Sequence, residues 1–181
     1  MAVLSKEEFK MKNILITGKP RSGKTTLIKE VIKELDVDAG GFYTSEIREK
    51  GKRVGFAIES LERKKGVLAH KAFESLHRVG SYKVNIKDLE EIGVDSILEA
   101  LKEGKLIVVD ELGKMEMKSS KFKKAVLAAL ASENKVLGTI KLTPDPFTDK
   151  IRKRKDVEIF YLTKENKEKV KKEIIRNLAR S

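Results

Sequence analysis

Residues 18–25, GKPRSGKT, place two glycines, a lysine and a threonine at the spacing G-x-x-x-x-G-K-[ST]. The glycines let the main chain curl so that successive N–H groups point inward, and a helix beginning near Lys24 adds the positive end of its dipole. This combination is typical of a phosphate-binding loop, the Walker A motif. We expect Lys24 to bridge the β- and γ-phosphate oxygens of a nucleotide, the Thr25 hydroxyl to bind magnesium, and Thr26 to line the α-phosphate.

An acidic pair ends the almost wholly apolar run LIVVDE at residues 106–111. An ionised carboxylate at the end of a buried strand is costly unless it meets a cation, so we expect Asp110 to be the second magnesium ligand. A helix or turn cap is the alternative for Asp110. Glu111 is expected to point to the other side of the strand end, where it can deprotonate a water for in-line attack on the γ-phosphate; a surface salt bridge is its alternative.

Negative charge that develops on the γ-phosphoryl group in the transition state requires a cation beyond the loop lysine. The candidates in the sequence are Arg78, Lys114 and the RKRK cluster at residues 152–155. Each also fits an ordinary exposed position, and the sequence does not choose among them.

Two polar residues, one at a strand end and one just after the last strand, have two interpretations each. Thr139 either bonds the attacking water or the γ-phosphate, or is a strand-end threonine satisfied within the protein. Asn166, in TKEN at residues 163–166, either borders the nucleotide base or belongs to a helix start capped by Thr163.

The elements that must hold these residues alternate between strand and helix patterns. Apolar β-branched runs predict strands, and apolar residues at helical spacing predict helices. The strands fall at residues 12–18, 105–112, 135–140 and 157–162, and the helices at 24–35, 86–104, 119–132 and 164–180. Strands separated by helices indicate a mostly parallel sheet covered on both faces, a three-layer α/β sandwich. Residues 40–60 predict an antiparallel hairpin around Gly51, residues 62–80 predict a further short strand with a loop, and SYKVN at residues 81–85 predicts a strand.

The length and composition predict a single domain located in the cytoplasm. The 181 residues suit a single core, with residues 1–10 expected to be an N-terminal extension. The chain has no run of 18 apolar residues and no signal-peptide pattern, so we expect no membrane association. It has no cysteine and two histidines, which excludes thiolate chemistry and a His-rich metal site. The absence of glutamine and tryptophan beside abundant Lys and Glu is a composition typical of thermophiles.

The formal net charge of +12 raises the question of nucleic-acid binding. Residues 149–181 hold 12 Lys and Arg against 6 Asp and Glu, which is half of the excess. Apolar residues at helical spacing in NKEKVKKEIIRNLAR place those charges on the solvated face of a terminal helix. Nucleic acid is therefore the less favoured partner, and we expect a monomer that binds a small nucleotide.

With these residues placed, the chain resembles the small nucleoside-triphosphatases that include the human cancer-related nucleoside-triphosphatase. The resemblance covers nearly the whole chain after residue 11. Its blocks are GGFYTSEIR at 40–48, KRVGF at 52–56, RVGSYKV at 78–84, VVDELGKMEM at 108–117, LGTI at 137–140 and IRKRKDVEIFYLTKEN at 151–166.

The resemblance implies a RecA-like P-loop fold, in which an extra strand separates the loop strand from the Asp-Glu strand. It implies magnesium-dependent hydrolysis of ATP, GTP and other nucleoside triphosphates to the diphosphate and phosphate, with Lys24 catalytic and Glu111 as the water-activating base. Two segments would bind the nucleotide: Gly18, Lys19, Pro20, Arg21, Ser22, Gly23, Lys24, Thr25 and Thr26; and, as the Walker B segment, Leu106, Ile107, Val108, Val109, Asp110, Glu111, Leu112 and Gly113. The loop departs from its relatives at KPRS, where Arg21 lies either over the phosphates or toward solvent.

Two other functions remain open at this point. A P-loop kinase for a nucleoside, nucleotide or polynucleotide end shares the same loop and sheet, and the hairpin or the loop near Arg78 would then belong to an acceptor site. A nucleic-acid-stimulated ATPase would show a basic stripe interleaved with aromatic residues, but aromatic content is 6% and no such interleaving occurs.

Overall fold

The computed structural model describes residues 11–180; the predicted extension at residues 1–10 lies outside them, as does Ser181. Within that range nine strands form one sheet. They are β1 (Asn13–Thr17), β2 (Ala39–Glu49), β3 (Lys52–Ser60), β4 (Lys65–His70), β5 (Arg78–Val79), β6 (Tyr82–Val84), β7 (Leu106–Leu112), β8 (Val136–Ile140) and β9 (Val157–Tyr161). The helices are α1 (Lys24–Leu35), α2 (Ile86–Asp88), α3 (Asp95–Lys102), α4 (Ser120–Ala131), α5 (Pro146–Arg152) and α6 (Lys167–Ala179).

The strand order is β5-β6-β4-β3-β2-β7-β8-β1-β9. Strands β2, β7, β8, β1 and β9 run parallel, so the carboxyl ends of β1, β7 and β8 meet at one edge. Strand β8 lies between β1 and β7, which is the extra strand of the RecA-like arrangement. The RecA-like α/β prediction is therefore confirmed.

The antiparallel part is larger than the predicted hairpin. Strands β2 and β3 do form a hairpin around Gly51, but β4, β6 and β5 extend it outward to the sheet edge. Short, partly exposed strands carry little hydrophobic alternation, which is why residues 62–84 give only a weak pattern. The hairpin strand β2 is shared, because it pairs parallel with β7 on its other side.

Successive side chains of the central strands point to opposite faces of the sheet and pack into two apolar layers, one on each face. Ile14 and Val108 pack with α1 and α6, whereas Leu15 and Val109 pack with α3 and α4. Phe122 of α4 is fully buried and meets Phe42 edge to face, with ring centroids 5.9 Å apart. This packing fixes the strand ends that carry the functional residues.

Two local features of the helices follow from their sequences. Ser119 caps α4 by accepting a hydrogen bond from the N–H of Phe122, as its position predicts. The predicted helical stretch after residue 85 is continuous, since the π-helical residues Leu89–Val94 join α2 to α3. Among residues 11–180, no helix has the length and apolar character that a membrane crossing requires.

Candidate active site

The phosphate-binding loop joins β1 directly to α1. Gly23, at the helix start, has a left-handed main chain with φ of 91°, and a Cβ on Gly18 would lie 2.7 Å from the carbonyl oxygen of Leu162. Only glycine meets both requirements at low cost. Helix α1 has no side-chain cap and no acidic residue in its first turn, so its first N–H groups and its positive end face the loop. The local geometry is that of an anion site.

Lys24 folds back over this loop. Its Nζ donates hydrogen bonds to the carbonyl oxygens of Gly18 at 3.1 Å and Lys19 at 3.0 Å. The ammonium group therefore lies above the loop, on the side where a phosphate would be held. Arg21, at the turn of the loop, has a positive φ of 62° and an exposed side chain at the rim of the cavity.

Asp110 links the loop to the sheet. Its Oδ2 accepts a hydrogen bond from the Thr25 hydroxyl at 2.6 Å, and its Oδ1 accepts one from the Thr139 hydroxyl at 2.7 Å. The main-chain N–H of Thr44 on β2 also bonds this carboxylate. Burial raises the pKa of Asp110, and the bonds from Thr25 and Thr139 oppose that rise. Of the two interpretations of Thr139, the structure supports the threonine satisfied within the protein, because its hydroxyl is committed to Asp110.

Glu111 is partly buried and opens into the same cavity as Asp110. Asp110 and Glu111 therefore line one cavity, and the expectation that their side chains point to opposite sides of the strand end stays a prediction. The Asp110–Glu111 peptide bond is cis. Burial raises the pKa of Glu111, the neighbouring Asp110 raises it further, and Lys24 and Lys141 lower it. Such a carboxyl group is poised to exchange a proton closer to neutral pH than a free glutamate.

A cavity of about 610 Å³ connects these groups. The predicted site residues that line it are Gly18, Pro20, Arg21, Gly23, Lys24, Thr25, Thr26, Asp110 and Glu111. The other members of the two predicted segments lie outside this lining: Lys19, Ser22, Leu106, Ile107, Val108, Val109, Leu112 and Gly113. Those from Leu106 to Val109 are buried in β7, where they position the acidic pair.

Oxygen donors at the cavity floor suit a magnesium ion. Magnesium prefers one or two carboxylates, with the remaining positions taken by water and phosphate oxygens. The Thr25 hydroxyl and the Asp110 carboxylate already lie within hydrogen-bond distance of each other. No group of three His, Cys, Asp or Glu side chains in residues 11–180 could hold a metal alone. The donor set therefore fits an ion that arrives with a phosphorylated ligand.

The cations predicted for the transition state lie elsewhere. Arg78, Lys114 and residues 152–155 are all absent from the lining of the cavity. Arg78 is on the edge strand β5, and Arg154 pairs with Asp156. The cavity has Arg53 and Lys141 instead, alongside the loop residues.

Asn166 is occupied by local hydrogen bonds. Its amide donates to the carbonyl oxygen of Tyr161 at 2.8 Å, and its Oδ1 accepts from the N–H of Thr163 at 2.8 Å. The Thr163 hydroxyl accepts in turn from the N–H of Asn166. The TKEN segment is thus a closed turn before α6.

Comparison with known proteins decides the family. A family model described as NTPase matches residues 13–175. The chain belongs to this NTPase family. The nucleoside-triphosphatase THEP1 of Thermotoga petrophila is 52% identical over 162 residues, covering 90% of each chain. The cancer-related nucleoside-triphosphatase of Homo sapiens is 36% identical, covering 91% of this chain and 95% of the relative. The chain is accordingly an enzyme, a hydrolase of the nucleoside-triphosphatase class.

A solved structure agrees with this assignment. The crystal structure of THEP1 from Aquifex aeolicus matches with a TM-score of 0.84 at 36% identity, over 93% of this chain and 99% of that one. The match extends through the antiparallel strands as well as the parallel core, since it spans almost the full length of both chains.

Sequence reasoning missed two groups in this NTPase. The first comprises hairpin residues that line the cavity: Thr44, Ser45, Glu46, Arg53 and Phe56. The second is Glu116, which is 4% exposed and accepts bonds from the main-chain N–H groups of Gly113 and Glu116. All of these residues lie in the family-like blocks GGFYTSEIR, KRVGF and VVDELGKMEM. Membership of those blocks is the sequence signal that could have identified them.

Proposed function

We propose that the protein hydrolyses nucleoside triphosphates to the diphosphate and phosphate with magnesium, and that Glu111 activates the water. The hydrogen bond of 2.6 Å between Thr25 and Asp110 is the observation that carries this proposal. It joins the phosphate loop to the acidic strand end at the point where a metal bound to phosphate needs both oxygens. Glu111 opens into the same cavity one residue further along.

The loop grips the substrate through the chain's own groups. The main-chain N–H groups at the start of α1 point at the β-phosphate, with the positive helix end behind them. Lys24 exchanges its bonds to the carbonyl oxygens of Gly18 and Lys19 for bonds to β- and γ-phosphate oxygens. Since both partners are main-chain oxygens of the loop, the ammonium group needs only a small movement.

Thr25 and Asp110 are the residues that would hold magnesium. Magnesium bound there would neutralise negative charge on the phosphate oxygens. Thr139 and the N–H of Thr44 keep the Asp110 carboxylate oriented when the Thr25 hydroxyl turns from it toward the metal. The buried carboxylate is thereby fixed before the substrate binds.

Glu111 performs the proton transfer. Its carboxylate accepts a proton from the water as the water oxygen bonds to the γ-phosphorus. The bond from that phosphorus to the β–γ bridging oxygen breaks, and the nucleoside diphosphate leaves. A pKa raised by burial and by Asp110 makes Glu111 a stronger base than an exposed glutamate, which favours this role.

Phosphate release from ATP and GTP tests the proposal, with Glu111→Gln and the control Glu74→Gln. Glu74 is an exposed glutamate outside the cavity lining. We expect Glu111→Gln to lower kcat by about 10²–10⁴-fold and Glu74→Gln to leave it unchanged. In ¹⁸O-labelled water the released phosphate should carry one labelled oxygen. Transfer of the γ-phosphate to an added acceptor, or an active Glu111→Gln variant, would contradict the proposal.

We further propose broad base acceptance, because the Asn166 amide is committed to its own turn and cannot read a base edge. Similar kcat/KM values for ATP, GTP, CTP and UTP would support this. We also propose that the chain forms one domain, which limited proteolysis tests, and that it is a monomer, which light scattering tests. The proposed location is the cytoplasm, with which the lack of cysteine is consistent.

A further inference from the structure

A single loop lysine leaves much of the γ-phosphoryl charge uncompensated in the transition state. The cations that line the cavity, among the described residues, are Arg21, Lys24, Arg53 and Lys141. Lys24 belongs to the phosphate loop. The question is which of the other three is both available and oriented.

Lys141 is already committed to an ion pair with another residue. Its Nζ forms an ion pair with Asp145 at 2.5 Å, and its side chain is 11% exposed. Arg21 is available but not oriented, because its exposed side chain makes no hydrogen bond or ion pair with any residue in the range 11–180. A cation that must first be ordered contributes less than one held in place.

Arg53 is held on three sides by the hairpin and β6. Its Nε donates to the Tyr82 hydroxyl at 2.9 Å, and its Nη1 donates to Glu46 Oε1 at 3.0 Å. The guanidinium group lies over the ring of Phe56 at 5.1 Å and over that of Tyr82 at 5.6 Å. Its Nη2 bonds no residue of the described chain, and the side chain is 43% exposed. One N–H edge of an oriented guanidinium is therefore open.

The cluster around Arg53 keeps a net positive charge. Glu46 is shared, because Arg48 Nη2 contacts its Oε2 at 2.6 Å while Arg53 holds its Oε1. Two cations thus face one carboxylate. Arg48 is also bonded to the carbonyl oxygen of Gly51 at the hairpin end and does not line the cavity. Arg53 is therefore the cation of this cluster that lines the cavity, together with the carboxylate of Glu46 that it shares with Arg48.

The sheet places this cluster beside the reacting end of the site. The N–H of Thr44 bonds Asp110, and Glu46 lies two residues further along β2, on the same face of the strand. Phe56 is the partner of Glu46 across the hairpin. All three line the cavity that Glu111 enters.

We propose that Arg53 is a catalytic residue that hydrogen-bonds the γ-phosphoryl oxygens through its open N–H edge as charge builds there, with Glu46 and Tyr82 as its positioning residues. This inference rests on the proposed hydrolysis. It assigns the hairpin, which lies outside both nucleotide-binding segments, a direct part in the reaction.

Three variants test it: Arg53→Ala, Arg53→Lys and the matched control Arg48→Ala. Both alanine variants remove one ion pair from Glu46, but only Arg53 lines the cavity. We expect Arg53→Ala to lower kcat by about 10²–10³-fold and to change the Kd of a non-hydrolysable triphosphate by less than about threefold. Arg53→Lys should recover only part of the rate, because an ammonium group lacks the planar fork. Arg48→Ala should stay within about twofold of the parent kcat.

A transition-state analogue separates this inference from the proposed function. Tight binding of ADP with magnesium and aluminium fluoride should be lost in Arg53→Ala and kept in Arg48→Ala. If the parent releases no phosphate, the proposed function fails, and if Arg53→Ala and Arg48→Ala behave alike in a hydrolysing parent, only this inference fails. Equal weakening of the triphosphate and the analogue in Arg53→Ala would also overturn it, since Arg53 would then bind the ground state.

Discussion

The carboxyl groups of Glu111 and Glu116 meet over Gly113. Glu111 Oε1 and Glu116 Oε2 both lie within 3.0 Å of the point that a Cβ on Gly113 would occupy. Glu116 is buried, and burial together with the nearby Glu111 raises its pKa well above the ordinary value. The proposed base therefore lies close to a second, buried carboxyl group.

Gly113→Ala should impair turnover without disturbing nucleotide binding. The new methyl group would displace the Glu111 carboxylate, whereas the phosphate loop is on another element. A misplacement of about 1 Å can cost about 100-fold in rate, so we expect kcat to fall by about 10–100-fold. Steady-state kinetics and the Kd of a non-hydrolysable triphosphate measure the two effects.

Gly80→Ala is the control for this change. Gly80 lies in the β5–β6 turn, where a Cβ would meet no atom within 4 Å and only the positive φ of 58° opposes alanine. It should lose some stability and keep the parent kcat. A Gly113→Ala enzyme with the parent kcat would show that Glu111 does not need its observed position.

Contiguous residues made the phosphate loop and the acidic strand end predictable. Residues 18–25 form their turn with local glycine geometry, and a buried apolar run can end in Asp110 only where a polar partner exists. The same reasoning, together with the family resemblance, was sufficient to predict the RecA-like order, in which β8 lies between β1 and β7.

Long-range pairing placed the residues that the sequence did not reveal. Arg53 reaches the cavity because β2 pairs with β7 on one side and β3 on the other, and no local pattern encodes that register. Thr139 had two plausible partners until β8 was placed next to β7. Glu116 was not identified from the sequence, since burial of a single carboxyl leaves no periodic signal.

Glu116→Gln should flatten the pH dependence of stability. An acid whose pKa is raised in the folded state stabilises it fully below the unfolded value of 4.5 and loses that contribution as the pH rises through the raised value. The parent should therefore lose free energy of unfolding above pH 4.5, with a limiting slope of about 1.4 kcal/mol per pH unit. Glutamine has no such proton to lose, so urea unfolding across pH 5–8 should show a smaller slope for the variant. Parallel slopes would mean that Glu116 is ionised in the fold.

Asp110→Asn should keep the stability of the apo protein but weaken the binding of magnesium nucleotide. Burial opposes the charged form of Asp110, so a neutral isostere removes that penalty while losing part of the bonding to Thr25 and Thr139. We expect the apo variant to melt near the parent temperature. The parent should gain about 2.7 kcal/mol from magnesium nucleotide at 100 times its Kd, and the variant should gain much less. Equal ligand-induced shifts in a thermal melt would remove Asp110 from the metal site.

Asp145 supports the rim of the site through two different bonds. Its Oδ1 caps α5 by accepting from the N–H groups of Phe147 and Thr148, and its carboxylate pairs with Lys141. Burial acts to raise the pKa of Asp145, but the bonds from Lys141 and Thr148 outweigh it and lower the pKa to about 2. The stabilisation is therefore present above pH 3.8 and is lost as the pH falls through about 2.

Asp145→Ala removes both bonds, whereas Asp145→Asn keeps the cap and removes only the ion pair. At pH 7 the alanine variant should lose about 0.5–2 kcal/mol of unfolding free energy through the cap, and the asparagine variant should lose less. In guanidinium unfolding, the difference between the parent and Asp145→Asn should shrink as the pH falls from 3.8 toward 2, because the parent carboxylate is then protonated. A difference that is constant with pH would mean that the charge of Asp145 contributes nothing to the fold.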